Sequence, residues 1–176
     1  MGYAGGRKKE PSYHNLGDHT ETIQIDYDPN QITYHELLDV FWKSHNPTSR
    51  ALSRQYMSII FYHDEEQKRL ALETRDREAA NRNARLYTEI VPYTEFYLAE
   101  DYHQKYRLQH EQDLMGEFRV IYPETADFVN STTAARVNGY LAGYGTSQAL
   151  EGEIDSFGLS EAGVRKLRQI IGVRER

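Results

Sequence analysis

A chain of 176 residues has the size of one ordinary domain with a short appendage and is long enough to bury a real core. Its net charge of −6, with 27 acidic against 21 basic side chains, excludes the concentrated positive face of a nucleic-acid binder, and no apolar run approaches the roughly 20 residues of a membrane span. With no cysteine in the sequence, disulfides, zinc–thiolate centres and thiol nucleophiles are excluded together.

Taken in chain order, Gly2, Gly5 and Gly6 around Tyr3-Ala4 read as a flexible opening, and the polar stretch through Asn15-Leu16-Gly17-Asp18 reads as a loop. The basic run Arg7-Lys8-Lys9 is too short for a phosphate patch and falls in that loop. Thr20 to Tyr27 alternates, with Ile23, Ile25 and Tyr27 on one face, and predicts a strand closed by Asp28-Pro29-Asn30. Thr33 with Glu36 forms a capping box ahead of Leu37, Leu38, Phe41 and Trp42, which predicts an amphipathic helix ending near His45-Asn46-Pro47, with Trp42 in the core. Met57 to Tyr62 predicts a buried strand. Asp64 then caps a largely charged, solvated helix running towards Asn83, with Glu65 and Glu66 in its first turn.

Tyr87 to Val91 predicts a third strand stopped by Pro92, and Tyr97 to Leu108 a tyrosine-rich helix. Asp113 to Phe128 shows no readable pattern. Ser131 to Ala142 reads as a helix before Gly143, and a last helix starts at Ser160 with Val164, Leu167, Ile170 and Ile171 on one face. Strands alternating with helices place the chain in the α/β or α+β class.

The order Gly2-Tyr3-Ala4-Gly5-Gly6, Gly17-Asp18-His19-Thr20-Glu21, Ile25-Asp26-Tyr27-Asp28-Pro29, Tyr34 to Trp42, Arg54-Gln55-Tyr56-Met57-Ser58, Thr88-Glu89-Ile90 and Ala99 to Tyr106 resembles the methionine sulfoxide reductase A family from residue 2 to about 109. Asn138-Gly139-Tyr140-Leu141-Ala142-Gly143 resembles the C-terminal extension of an animal-type branch of that family, in which the loop after the His-x-Pro step, here His45-Asn46-Pro47, is also short. The resemblance implies an α/β fold of the α+β two-layer, ferredoxin-like kind over residues 1–109, followed by a helical extension over 110–176. It also implies that the first strand and helix of that fold are missing, together with the Gly-Cys-Phe-Trp-Gly motif they carry. Losing them would expose sheet edges and core, so poor independent folding is expected.

In the family, a thiolate attacks the sulfur of methionine sulfoxide and is left as a sulfenic acid, which a resolving thiol or an external reductant clears. The resemblance assigns Glu21 as the proton donor to the departing oxygen and Tyr13 and Tyr56 as the hydroxyls that hold it. An aspartate that many members place just before the Tyr56 position has no counterpart, because Ala51-Leu52-Ser53 stand there. Further implied are methionine sulfoxide, free or in proteins, as substrate, its S epimer as the preferred form, thioredoxin or dithiothreitol as reductant with no bound cofactor, and a monomeric cytoplasmic protein serving in protein repair under oxidative stress. Neither nucleic acid nor membrane is an expected partner.

Apart from the resemblance, Glu21 reads as a solvated strand residue and Tyr13 and Tyr56 as half-buried aromatics. His19 and His103 lack metal-ligand spacing and read as structural or wall residues. Three functions stand open: a reductase sequence inactive without its cysteine; a non-catalytic relative that binds methionine sulfoxide or a protein; and an unrelated acid–base activity of Glu21, for which no second carboxylate or nucleophile is found.

Overall fold

The computed structural model describes residues 1–174 and comprises two compact units, Met1–Ala99 and Glu100–Arg176. The first holds a three-stranded and a two-stranded sheet. β1 (Gly2–Ala4) is the central strand of the first sheet, antiparallel to β2 (Thr20–Thr22) on one side and to β5 (Phe96–Leu98) on the other. The first three residues of the glycine-rich opening, Gly2–Ala4, are therefore a fully buried strand and not a flexible lead. A Cβ on Gly2 would sit 2.3 Å from both the Phe96 ring and the Tyr97 carbonyl, so only glycine lets the strands close. Gly5, at φ +80°, turns the chain out of the strand against the Phe61 ring.

β2 is shorter than its alternation predicts. It ends at Thr22, and Ile23 and Ile25 stand 68% and 52% exposed. Alternation alone does not make a strand where no neighbour accepts the ladder hydrogen bonds.

α1 (Tyr34–Lys43) starts as expected: the Thr33 hydroxyl accepts from the Glu36 N–H, and the Glu36 carboxylate accepts from the Thr33 N–H. Ser44 caps its end, short of His45. β3 (Ile59–Tyr62) and β4 (Glu89–Pro92) run parallel, joined by α2 (Glu65–Arg82), which opens on the Asp64 cap and closes on Asn83 in the left-handed region. α2 is solvated as expected, burying only Ala71 and Thr74 and carrying surface ion pairs such as Arg69 with Glu66 and Glu73. Leu38, Trp42, Ile60 and Ala71 form the core of this layer. Trp42 is buried as expected, its Nε1–H donating to Thr74 Oγ1 at 3.0 Å.

The second unit is helical. Tyr97 to Leu108 is no continuous helix: β5 is followed by a 3-10 turn at Asp101–His103 and the short α3 (Tyr106–Gln109). The unreadable stretch holds α4 (Gln112–Ile121) and α5 (Thr125–Asn130). α6 (Thr132–Leu141) lies within the helix predicted over Ser131 to Ala142 and begins on a Ser131 cap. α7 (Ser147–Glu151) and a 3-10 turn at Ile154–Phe157 precede α8 (Glu161–Arg174). Leu108, Leu114, Phe118, Val137, Leu150 and Leu167 lie at the centre of this unit's core. No helix among the described residues is long and apolar enough to cross a membrane.

The mixed α/β class expected from the alternation of strands and helices holds for the first unit.

Candidate functional site

Glu21 is the middle residue of β2, opposite Tyr3 of β1. The 3-10 turn Arg54–Tyr56 delivers Gln55 and Tyr56 to the same place. Two bonds anchor that turn: Thr20 Oγ1 donates to the Arg54 carbonyl at 2.9 Å, and Arg54 Nη1 donates to Glu89 Oε2 at 2.9 Å. Gln55 Nε2 then donates to Glu21 Oε1 at 2.7 Å. From the other side, Tyr13 packs beside Tyr3, Leu16 and Ala99.

The Tyr56 phenol is pulled into this cluster. Partial desolvation, then the charges of Tyr13 and Glu21 and a hydrogen bond with Tyr13, raise its pKa above its ordinary value, although the residue as a whole is 61% exposed. Tyr13, Glu21 and Tyr56, separate in sequence, thus converge on one spot.

Glu21 and Tyr56 open onto a cleft of about 690 Å³ within the first unit, walled by β2 and the segment after it, by Leu37 and Phe41 of α1, and by Ile59 and Phe61 of β3. Its lining is chiefly apolar, which suits a thioether-like methyl or an aliphatic chain. Elsewhere on the same cleft lies Tyr34. Its hydroxyl is buried and has no hydrogen-bond partner among the described residues. Burial, then the charges of Tyr27 and Asp64, push its pKa up to about 12.

His19, weighed as a metal ligand or a wall residue, has a structural part. Buried in the first unit, it accepts from the Gly6 N–H through Nδ1 at 3.2 Å and points Nε2 at the Lys8 carbonyl at 2.7 Å, which fixes the Nε2–H tautomer. Beside it Asp18 accepts from the Arg7 and Lys8 N–H groups, which hold its carboxyl below the usual range. These two residues fasten the loop that leaves β1. His103 lies against the Tyr102 ring in the second unit. Among the described residues, no group of three His, Cys, Asp or Glu side chains is gathered closely enough to hold a metal ion.

A family model described as peptide methionine sulfoxide reductase matches residues 1–136. The chain belongs to this family. A second model, the helical domain of selenoprotein methionine sulfoxide reductase A, matches residues 126–172, in the helical unit. The chain is 43% identical over 162 residues to the peptide methionine sulfoxide reductase of Drosophila melanogaster, covering 91% of this chain and 65% of that protein. With the A5 reductase of Oryza sativa subsp. japonica it shares 40% over 148 residues, covering 81% of this chain and 58% of that one. The chain therefore spans about three fifths of the length of these relatives.

Among solved structures, methionine sulfoxide reductase A of Corynebacterium diphtheriae matches with a TM-score of 0.53 and 30% identity, covering 63% of this chain and 62% of that one. A Saccharomyces cerevisiae structure in reduced form matches with a TM-score of 0.58 and 29% identity, covering 63% and 69%. In the sequence Gln55 stood within the stretch Arg54-Gln55-Tyr56-Met57-Ser58 with no role of its own, because its contact with Glu21 spans two separate elements.

Proposed function

We propose that this chain binds methionine sulfoxide by its oxygen, through Tyr13, Tyr56 and Glu21, and that these 176 residues, which contain no cysteine, do not reduce it. The observation that carries this reading is that Tyr56, which interacts with both Tyr13 and Glu21, lies with Glu21 on the wall of a chiefly apolar cleft. A sulfoxide is an S–O dipole with its negative end on oxygen. A neutral phenol O–H brought to that oxygen stabilises its charge, and the Tyr13–Tyr56 pair holds two such groups side by side. Glu21 in its protonated form would be the third donor and the source of the proton that the oxygen takes as it leaves.

The reaction of the family then needs one partner from outside these residues. A thiol attacks the sulfoxide sulfur, the S–O bond breaks, and sulfoxide plus thiol become thioether plus sulfenic acid. Two further thiols reduce the sulfenic acid to thiol and water and are themselves oxidised to a disulfide. Protein repair, thioredoxin as reductant, a cytoplasmic setting and a monomeric state belong to this proposal as the family resemblance implies them. The absence of cysteine favours binding without turnover as the activity of the chain itself.

The test is an assay of the purified chain with N-acetyl-methionine sulfoxide and dithiothreitol, against a protein-free control. The expected result is a rate equal to the control, with binding of the same sulfoxide detectable by NMR and lost in Tyr56→Phe. Turnover above the control would overturn the inactive half of the proposal. An absence of binding would overturn the other half.

A further inference from the structure

We infer that Gln55 is a positioning residue for the Glu21 carboxyl, selecting which of its two oxygens is presented to the sulfoxide. The inference rests on the oxygen-binding reading above and adds to it a residue outside the Tyr13, Glu21 and Tyr56 set.

A carboxyl group that hands over a proton uses one oxygen, and a free side chain exposes either one after a half turn. At 2.7 Å, the Gln55 amide N–H claims Glu21 Oε1 as an acceptor. The opposite amide orientation would place a carbonyl oxygen against a carboxylate, so the nitrogen is the atom that faces Glu21. With Oε1 engaged by Gln55, Oε2 is the oxygen left for the sulfoxide.

Gln55 can hold this position because its own backbone is held. The turn that carries it is tied to β2 through Thr20 and the Arg54 carbonyl, and to β4 through Arg54 and Glu89. β2 carries Glu21 itself, one residue after Thr20. Donor and acceptor therefore share one small framework and move together. The next residue of the turn is Tyr56, so a single turn supplies both a hydroxyl for the sulfoxide oxygen and the clamp on its proton source.

The test follows the side-chain amide signals of Gln55 by ¹⁵N–¹H NMR, together with binding of N-acetyl-methionine sulfoxide. The proteins are the 176-residue chain, Glu21→Gln, Gln55→Met and Tyr56→Phe, each checked for cooperative thermal unfolding. The Gln55 amide signal is expected to shift in Glu21→Gln, which replaces the carboxyl that accepts from it, and to stay in place in Tyr56→Phe. Gln55→Met removes the donor but keeps the length of the side chain. It should weaken binding about fivefold, because the Glu21 carboxyl is then free to turn either oxygen to the sulfoxide. Tyr56→Phe should lose binding.

A Gln55 amide signal that is unchanged in Glu21→Gln overturns the inference, whatever the binding result. So does a Gln55→Met protein with unchanged affinity. If the amide signal shifts in Glu21→Gln but the unaltered chain binds no sulfoxide, the oxygen-binding reading falls, and the positioning role falls with it.

Discussion

Thr20 donates its hydroxyl to the carbonyl of Arg54 at 2.9 Å, and together with the Gln55–Glu21 bond this joins the strand that carries Glu21 to the turn that carries Tyr56. Thr20 is buried, so the loss of its donor is felt. Thr20→Val keeps the shape and removes the donor. We expect a loss of about 1 kcal/mol in stability, read by urea unfolding, with weakened sulfoxide binding because Tyr56 and Glu21 no longer keep register. A variant with unaltered binding would show that the two elements are held together by other contacts.

The Tyr34 hydroxyl offers a test in the opposite direction. It is buried, lacks a hydrogen-bond partner among the described residues and faces an apolar cleft. Tyr34→Phe removes a polar group that gains nothing from its surroundings, so stability is expected to stay level or to rise by up to about 1 kcal/mol. A clear fall in the unfolding midpoint would mean that the hydroxyl has a partner.

In the helical unit, Glu153 accepts from Arg136 Nε and from the Tyr140 hydroxyl. Burial works against its charged form, but the two hydrogen bonds and the Arg136 charge outweigh it and lower the pKa from the ordinary 4.5. A carboxyl lowered in the folded state adds stability that is present above the unfolded value and lost as pH falls through the folded one. Glu153→Gln should therefore cost about 1–3 kcal/mol near neutral pH. The gap between the two proteins should narrow as pH falls below 4.5. A gap independent of pH, measured by denaturant unfolding across the acid range, would contradict the assigned ion pair.

Local chemistry made some elements legible and hid others. α1 was readable because Thr33 and Glu36 cap it within four residues, and α2 because Asp64 and Asn83 mark its two ends. β1 was not readable. Its glycines resemble a loop, and its burial comes from two neighbours that arrive about 20 and about 95 positions later in the sequence, Glu21 and Tyr97 opposite Tyr3. The same dependence on neighbours shortened β2, since Ile23 and Ile25 have the alternation of a strand but not its ladder.

The site divided in the same way. Tyr13, Glu21 and Tyr56 were proposed from the family pattern and not from spacing, because nothing in one dimension brings a loop, a strand and a turn together. Gln55 needed coordinates, since its part depends on an amide lying 2.7 Å from a residue 34 positions away.

The central claim is that this chain recognises the sulfoxide oxygen. The measurement that tests it most directly compares N-acetyl-methionine sulfoxide with N-acetyl-methionine in NMR titrations of the same ¹⁵N-labelled chain. The sulfoxide should perturb signals of Tyr13, Glu21, Gln55 and Tyr56, while the thioether, which lacks the oxygen, should leave them unmoved. Equal responses to the two ligands, or a response confined to the apolar walls of the cleft, would contradict the account.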